Sequence, residues 1–459
     1  MNCKNPIILK AEIDIPQYIS DIIMTLINNG HEAYIVGGAV RDSLIGRVPI
    51  DWDISSSAPP EAIRKIFGDA VIPSGERFGT LTVLSKKQPA EITTFRKEIG
   101  YSDGRRPDKV IFSNNLKDDL ARRDFTINAL AYDILQKVVI DYFGGIDDLE
   151  NMVIRAVGNP EARFNEDSLR MPRAIRLAAE LNFNISRDTL EGIKNNCFTI
   201  SRISPERIRD ELSKMLLSPR PGRALEYTYD THLLDYILPE LSDCAKTPAY
   251  HGSPFTVLKH SIEACENIEP KLGLRLAALL HDIGKPLTMI SDNTGRLRFP
   301  NHEDVGADLA RIALKRLKYP KDLTYKVTTL IKWHMFRYQS SASDKGIRRL
   351  IRSLGIDNIY DLAKLRKADR IALGLDPDTD NNMTAFLKRV RIVLEQGPIF
   401  TVKNLAINGY DVMELLGIPE GPEVGRILNK LLDIVLEKPD MNSREILLDV
   451  IRPMTNQNC

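Results

Sequence analysis

The feature that most constrains this fold lies near the start of the chain, where an apolar segment runs into two glycines. Tyr34-Ile-Val-Gly-Gly-Ala-Val-Arg-Asp42 predicts a strand, a tight turn and a helix, and Asp51-Trp-Asp53 opens a second predicted strand. Side chains two positions apart on a strand point to the same face, so Asp51 and Asp53 can share one site. Two carboxylates beside a glycine turn can hold the Mg²⁺ ions that accompany a triphosphate. The pattern therefore indicates nucleotidyl transfer rather than general nucleotide binding.

A third carboxylate would complete such a two-metal site, and Glu91 is the candidate. It begins Glu91-Ile-Thr-Thr-Phe95, a predicted strand that we expect to lie beside the strand of Asp53. The alternative is an ordinary glutamate at a strand edge, because an Asp-x-Asp pattern alone is weak evidence for a metal site.

A second polar cluster, Arg122-Arg-Asp-Phe-Thr-Ile-Asn-Ala129, predicts a nucleotide site. The guanidinium forks of Arg122 and Arg123 suit triphosphate oxygens. Asp124 can accept a hydrogen bond from a ribose hydroxyl, and Asn128 can reach a phosphate or sugar oxygen. The alternative is a helix start capped by Asp124, but the cluster is richer than a cap requires. The glycine turn adds to this site Gly37, Gly38 and Arg41.

A third motif, Glu166-Asp-Ser-Leu-Arg-Met-Pro-Arg173, predicts the selection of a base. Asp167, Arg170 and Arg173 recur every three residues and would share one face of a helix. Asp167 can accept from an exocyclic amino group while Arg170 donates to a ring nitrogen or carbonyl, which suits cytosine and adenine and excludes uracil and guanine. The alternative is a surface ion pair worth only tenths of a kcal/mol.

Taken together, these motifs resemble those of the class II tRNA nucleotidyltransferases, the CCA-adding enzymes, whose superfamily includes bacterial poly(A) polymerase. A further match is Ser204-Pro-Glu-Arg-Ile-x-x-Glu211, in which Arg207 and Glu211 would brace the nucleotide pocket. The resemblance covers residues 33–217. It implies a head, neck, body and tail, Mg²⁺, and template-free addition of C, C and A to tRNA 3′ ends from CTP and ATP.

The segment from Phe95 to Asp108 matches the flexible loop of that family, which lets one pocket switch from CTP to ATP. Family members that add only CC lack this loop, so its presence favours full CCA addition or A addition. The alternative is an ordinary exposed basic loop. The loop residues that we assign to this role are Asp103, Arg105 and Arg106.

Histidines and carboxylates farther along the chain suggest a second chemistry. Leu279-Leu-His-Asp-Ile-Gly-Lys-Pro286 resembles the signature of HD-domain metal phosphohydrolases. A divalent metal held there could support hydrolysis of a cyclic or terminal phosphate on an RNA end. The alternative is an HD fold kept only as a tRNA-binding body. The candidate ligands are His260, His281, Asp282, His302, His334 and Asp369.

Charge is nearly balanced overall, at +1, but not locally. Residues 311–370 contain 16 Lys and Arg against 5 Asp and Glu, an excess typical of a nucleic-acid footprint, although a solvated helical face is the simpler reading. Five scattered cysteines without a C-x-x-C motif disfavour a disulfide framework. No signal-peptide core and no membrane-spanning apolar run is evident, so we expect a cytoplasmic enzyme with no membrane partner.

The 459 residues are enough for several domains, and the strand signal nearly stops after Asn151. We therefore predict an α+β chain: an α/β nucleotidyltransferase head over 1–150, an all-α neck over 151–230, an HD-type helical body over 231–375, and a helical tail over 376–459 that contacts tRNA.

The function predicted is CCA addition to tRNA. An A-adding enzyme or a poly(A) polymerase acting on RNA 3′ ends is the enzymatic alternative. A non-catalytic RNA-binding or nucleotide-sensing protein with HD phosphohydrolase activity is the alternative from another class. The oligomeric state stays open.

Overall fold

A mixed sheet of eight strands organises the N-terminal part of the computed structural model, which describes residues 5–73, 75–101, 107–395 and 401–453. The strands are β1 Ile7–Lys10, β2 Ala33–Val36, β3 Asp53–Ser56, β4 Val71–Ile72, β5 Thr80–Ser85, β6 Gln88–Thr94, β7 Arg96–Ile99, β8 Lys109–Phe112, β9 Leu130–Asp133, β10 Val138–Asp141, β11 Val153–Ile154, β12 Asn184–Ile185, β13 Ile290–Ser291 and β14 Leu297–Arg298. The eight-stranded sheet has the order β1-β10-β9-β2-β3-β6-β5-β4. Within it β3 and β6 run parallel, and the other neighbours are antiparallel.

Helices cover this sheet and continue the chain beyond it. They are α1 Gln17–Asn28, α2 Gly38–Leu44, α3 Pro60–Phe67, α4 Leu116–Ala121, α5 Gly145–Glu150, α6 Pro160–Glu166, α7 Arg170–Leu181, α8 Arg187–Asn196, α9 Pro205–Leu217, α10 Pro221–Asp230 and α11 Leu234–Ile237. Helix α1 buries one apolar face (Ile19, Ile22, Ile23 and Leu26), which is the period expected of an amphipathic helix. It ends just before Gly30, whose φ of +85° suits glycine.

The chain from Val257 onward is mainly helical. Its helices are α12 Val257–Glu266, α13 Leu272–Leu280, α14 Lys285–Thr288, α15 His302–Arg316, α16 Lys321–Trp333, α17 Asp344–Leu354, α18 Ile356–Ala372, α19 Asn381–Glu395, α20 Gly409–Leu416, α21 Pro422–Glu437 and α22 Arg444–Ile451. Helix α13 is buried over almost its whole length, because Leu and Ala occupy nearly every position. It is therefore a central helix, and its end delivers His281 and Asp282 to the interior.

The described residues divide into two compact units, one reaching residue 243 and including 316–319, the other holding the remainder. The large sheet lies in the first, and α12 begins the helices of the second. The predicted α+β class, with a sheet in the head and helices after it, is confirmed. The finer division at 150, 230 and 375 stays a prediction.

Two expectations from composition concern membranes and cysteines. None of the helices in the described ranges is long and apolar enough to cross a bilayer. Cys197 and Cys265 are buried free thiols, which agrees with the absence of a disulfide framework among the described cysteines. The cytoplasmic location stays a prediction from the sequence.

Candidate active site

Three carboxylates meet at the start of β3. Asp53 is the first residue of that strand, and its register partner on the parallel strand β6 is Glu91. Asp51 lies two residues before β3 rather than within it, and its side chain is exposed. Desolvation and the charges of the other carboxylates raise the pKa of both Asp53 and Glu91, with Arg123 opposing the shift at Asp53. Such mutual repulsion is what a divalent cation would relieve.

The glycine turn holds an arginine against these carboxylates. Gly37 has a φ of +79° and precedes α2. A Cβ built on Gly37 would lie 2.7 Å from Arg123 Nη1 and 3.8 Å from Asp53 Oδ2. Glycine suits this position because of its positive φ, and a Cβ here would require the guanidinium of Arg123 to shift. The turn therefore places the guanidinium of Arg123 close to Asp53.

Asp119 anchors both arginines of the Arg122-Arg123 pair, and the sequence analysis missed it. Its carboxylate is fully buried, lies 2.8 Å from Arg122 Nη2, and accepts a 2.8 Å hydrogen bond from Ser55 on β3. Burial alone would raise the pKa of Asp119, but the charges of Arg122 and Arg123 hold it below its usual value. The spacing in the sequence could have predicted these ion pairs, because Asp119 precedes Arg122 and Arg123 by three and four residues at the end of α4.

Most of the predicted nucleotide-binding residues line one open pocket of about 260 Å³. Asp124 organises it, since its carboxylate accepts from Arg173 at 2.9 and 3.1 Å and from Asn128 at 3.0 Å. Arg41 in turn donates to Asn128 at 2.7 Å. Burial would raise the pKa of Asp124, yet Arg173 and Asn128 lower it to about 2. The lining residues are Arg122, Arg123, Asp124, Asp167, Leu169, Arg170, Arg173 and Arg207.

Asp167 and Arg170 line this pocket without pairing with each other. The prediction that they share a helical face is wrong, because α7 begins at Arg170 and Asp167 lies in the turn before it. There Asp167 accepts from the backbone N–H of Leu169 at 3.0 Å and from Arg207 at 3.2 Å. Arg170 is held by Glu166 and by the carbonyl oxygen of Arg122, 3.0 Å away. Both side chains therefore enter the pocket already oriented.

A ribbon of β7 and β8 flanks the segment that was assigned as a flexible loop. Glu98 on β7 accepts from Arg96 at 2.9 Å and from Tyr101, and its carboxylate lies 3.3 Å from Arg122. The ribbon is thus linked through Glu98 to Arg122, which lines the pocket. The predicted loop residues Asp103, Arg105 and Arg106 lie outside the described residues.

Arg207 and Glu211 connect the helices behind the pocket. Glu211 on α9 accepts from Arg176 on α7 at 2.7 Å, and Arg176 also donates to Glu180 at 2.7 Å. Together with the contact between Arg207 and Asp167, these ion pairs hold α9 against α7. This is the bracing expected of the two residues.

All six candidate metal ligands of the second unit lie together in its interior. They form two groups, within each of which the ligand atoms lie within 4.8 Å of one another: His260, His281 and Asp369, and Asp282, His302 and His334. Asp282 links the groups, since Oδ2 lies 3.3 Å from His281 Nε2 and Oδ1 lies 3.3 Å from His302 Nε2.

The imidazole rings of this cluster are oriented for ligation. His281, His302 and His334 each place Nδ1 2.6–2.8 Å from the carbonyl oxygen three residues earlier. Donation from Nδ1 leaves Nε2 as the ligating atom, the arrangement seen around most metal-bound histidines. Burial would lower the pKa of His281, but Asp282 raises it to about 10. Lys285, 2.6 Å from Asp282, supplies a further positive charge.

The basic segment 311–370 is partly neutralised in space. Eight of its 16 cations form the ion pairs given below, mostly with carboxylates outside the segment, so the excess counted along the sequence overstates the free positive charge. The pairs are Arg311–Asp308, Lys326–Asp361, Lys332–Asp304, Lys345–Glu437, Arg352–Asp433, Lys364–Glu269, Arg366–Asp380 and Lys367–Asp378.

Three segments of the chain match models of protein families. Residues 33–155 match "Poly A polymerase head domain", and residues 182–244 match "Probable RNA and SrmB- binding site of polymerase A". Residues 304–451 match "tRNA nucleotidyltransferase domain 2".

Curated relatives and solved structures extend these matches over the chain. The CCA-adding enzyme of Ligilactobacillus salivarius is 36% identical over 424 residues, 92% of each chain. That of Lactobacillus helveticus is 50% identical over 212 residues, which span 46% of this chain and 53% of the relative, about half its length. The Bacillus stearothermophilus CCA-adding enzyme in complex with CTP aligns with a TM-score of 0.68 and 29% identity, covering 97% of this chain and 100% of the other. A Thermotoga maritima CCA-adding enzyme complexed with tRNA shares the fold at a TM-score of 0.55 and 20% identity, covering 98% and 99%.

Proposed function

Because the chain belongs to the family of CCA-adding enzymes, which are nucleotidyltransferases, we propose that it adds C, C and A to the 3′ end of tRNA from CTP and ATP. The observation that carries this proposal is the continuity of the site. Gly37 brings Arg123, which lines the nucleotide pocket, close to Asp53, whose strand neighbour is Glu91. Phosphate-binding and metal-binding groups therefore adjoin at one edge of the sheet.

Asp51, Asp53 and Glu91 would hold Mg²⁺, which fits a cluster that offers only carboxylate oxygens and in which the pKa values of Asp53 and Glu91 are raised. The ions would supply charge neutralisation for the attack of a 3′-hydroxyl on the α-phosphorus and for the departure of pyrophosphate. Arg122 and Arg123 bind the triphosphate, and Asp119 fixes their geometry. Asp124, which lines the pocket and accepts a hydrogen bond from Asn128, would contact the ribose.

Base selection falls to Asp167 and Arg170. Both lie in the pocket, one as an acceptor and one as a donor, so a base with an amino group beside a ring acceptor can bind to both. Arg207 and Glu166 hold the two side chains in place. The same pocket would then take CTP and ATP and reject UTP and GTP.

The test uses three tRNA substrates that end before C, before the second C and before A, each with CTP and ATP separately. We expect C to be added to the first two and A to the third. Addition of A alone would indicate an A-adding enzyme, and long A tails on unrelated RNA would indicate a poly(A) polymerase. A generic RNA hairpin is the control substrate.

A second function is favoured by the histidine cluster. Its two ligand groups, joined through Asp282, fit a pair of divalent cations, and a cation there would supply a Lewis acid for hydrolysis of phosphate esters. Metal analysis of the purified chain tests this: Asp282→Asn should remove the bound metal of the second unit, whereas the exposed Asp308→Asn should retain it. Equal metal content in the wild-type protein and in Asp282→Asn would contradict the assignment.

A further inference from the structure

A second pocket, of about 560 Å³, opens on the other side of the glycine turn. Gly38 and Asp51 belong to its wall, whereas Gly37 approaches Arg123 in the nucleotide pocket. The turn thus approaches both pockets: Asp51 lines the second, and Arg123, which lines the first, lies close to Asp53. The lining residues are Gly38, Arg41, Asp42, Arg47, Val48, Ile50, Asp51, Arg176, Glu180, Leu181, Lys214 and Pro219.

Two aliphatic side chains of this pocket are almost fully exposed. Val48 is 89% exposed and Ile50 is 90% exposed, and they lie within three residues of Asp51. Leu181 and Pro219 extend the apolar surface on the helical side of the pocket. Exposed aliphatic groups beside a catalytic carboxylate form an apolar surface that a flat, largely apolar ligand face such as that of a nucleobase can cover.

The cations of the pocket differ in their partners. Arg41 pairs with Asp42, and Arg176 pairs with Glu180 and Glu211. Among the residues that the structure describes, no carboxylate pairs with Arg47 or with Lys214. Arg47 donates only to the carbonyl oxygen of Glu180, at 2.9 Å. Two cations therefore remain available for an anionic ligand.

The chemistry of the reaction decides which ligand this is. Nucleotidyl transfer needs two substrates at the same carboxylates, one that brings the triphosphate and one that brings the attacking hydroxyl. The arginines of the first pocket serve the triphosphate. The second pocket combines an apolar face, two cations for which the described residues supply no carboxylate, and Asp51 itself.

We infer that this second pocket binds the last nucleotides of the RNA that receives the new residue. The terminal base lies on Val48 and Ile50, and Arg47 and Lys214 bind the phosphates that precede it. This directs the terminal 3′-hydroxyl toward Asp51. The inference rests on the proposed function and adds to it the residues that hold the acceptor strand.

The kinetic test compares the Val48→Ser/Ile50→Ser double variant and Lys214→Ala with two controls, Leu135→Ser and Lys194→Ala, which replace exposed residues of the same types elsewhere in the first unit. We expect KM for tRNA lacking CCA to rise about tenfold in the double variant, with KM for CTP unchanged. Lys214→Ala should flatten the salt dependence of RNA binding by roughly 0.7 in log–log slope, the value for one phosphate contact on a single strand. The controls should match the wild type.

Photo-crosslinking gives a readout that does not depend on turnover. A tRNA that ends in 4-thiouridine should crosslink to the peptide around Val48 and Ile50. Crosslinks confined to the nucleotide pocket, or a change in KM for CTP with none for tRNA, would overturn the inference. Wild-type protein that adds neither C nor A would instead refute the proposed function, so the two failures are distinguishable.

Discussion

The two clusters of ionisable groups in this chain differ in how their carboxylates are neutralised. In the head, Asp51, Asp53 and Glu91 lie close together, and the pKa values of Asp53 and Glu91 are raised even though Arg123 lies close to Asp53. In the second unit, His281 and Lys285 surround a buried carboxylate, Asp282, and hold its pKa well below the usual range. A bound cation would stabilise the first cluster by neutralising its carboxylates. In the second cluster the charges of His281 and Lys285 already neutralise Asp282, so a cation must displace protons from the histidines.

The largest effect is expected where the head cluster loses a carboxylate. Asp53→Asn should lower incorporation of CTP and ATP roughly 10³-fold or more, because the strand position next to Glu91 would no longer hold a metal ion. Single-turnover incorporation measures this. The exposed Asp69→Asn, in the same domain, should be near wild type, and metal content of the second unit should not change in either variant. Wild-type rates in Asp53→Asn would show that the head cluster is not the catalytic one.

The next largest effect is expected at the glycine turn, where two glycine variants distinguish the cost of backbone strain from the cost of a Cβ beside Arg123. Gly37→Ala should lower kcat about 100-fold, because its Cβ would lie 2.7 Å from Arg123 Nη1. Gly30→Ala is the matched control, since its φ of +85° carries similar strain but nothing lies within 4 Å. Each change should cost about 1 kcal/mol of stability. If both variants lost activity equally, the approach of Arg123 to the turn would not matter.

Proton displacement should distinguish the second cluster from the first. His281 keeps its proton up to a pKa of about 10, yet a metal ligand must be neutral. Apparent metal affinity of the second unit should therefore rise with pH between 6 and 9, about tenfold per pH unit for each proton displaced. Equilibrium dialysis of Asp53→Asn, which lacks the head site, measures this. A metal affinity that does not change with pH would show that His281 is not a ligand.

A smaller change is expected in base selection. Asp167→Ala should reduce discrimination of CTP against UTP by about 10-fold, the effect of losing one hydrogen bond to a base. Triphosphate affinity should hardly move, because Arg122 and Arg123 remain anchored by Asp119. Competition between CTP and UTP measures the ratio, with Asp188→Ala, on the exposed start of α8, as the control. Unchanged selectivity would show that Asp167 does not take part in base selection.

The smallest effect concerns the basic segment of the second unit. Lys332 pairs with Asp304, so Lys332→Ala should change tRNA affinity less than about twofold. Lys321, for which the described residues supply no carboxylate, should matter slightly more. Filter binding at two salt concentrations compares them. A larger loss in Lys332→Ala than in Lys321→Ala would contradict the view that pairing has neutralised the segment.

Local patterns in the sequence predicted the parts of the site that the backbone determines. The glycine turn and its two neighbouring strands follow from alternation and turn chemistry, although the strand predicted from Asp51 begins at Asp53 and the strand predicted from Glu91 begins at Gln88. The neighbouring positions of β3 and β6 followed from the expected sheet. The histidine ligands were also predicted together, from the resemblance of Leu279–Pro286 to the HD signature and from histidines on neighbouring predicted helices.

Partners distant in sequence could not be predicted in the same way. The carboxylates that neutralise segment 311–370 include Glu437 and Asp433, which no local count includes. Asp167 lies outside the predicted helix because its side chain accepts a hydrogen bond from the backbone N–H of Leu169. This local turn competes with helix formation. The anchor Asp119 was within reach of a helical-spacing argument, but its contact with Ser55 on β3 was not.

The parallel pairing of β3 with β6 has a consequence for the choice of ion. Neighbouring strands lie about 4.8 Å apart, and the hydrogen-bonded backbone, rather than a flexible loop, sets the spacing between Asp53 and Glu91. A rigid spacing favours a small cation with strict octahedral demands, while a larger one such as Ca²⁺ prefers ligands that can spread. In the metal site that we propose, the sheet register would therefore favour Mg²⁺ over Ca²⁺ at Asp53 and Glu91.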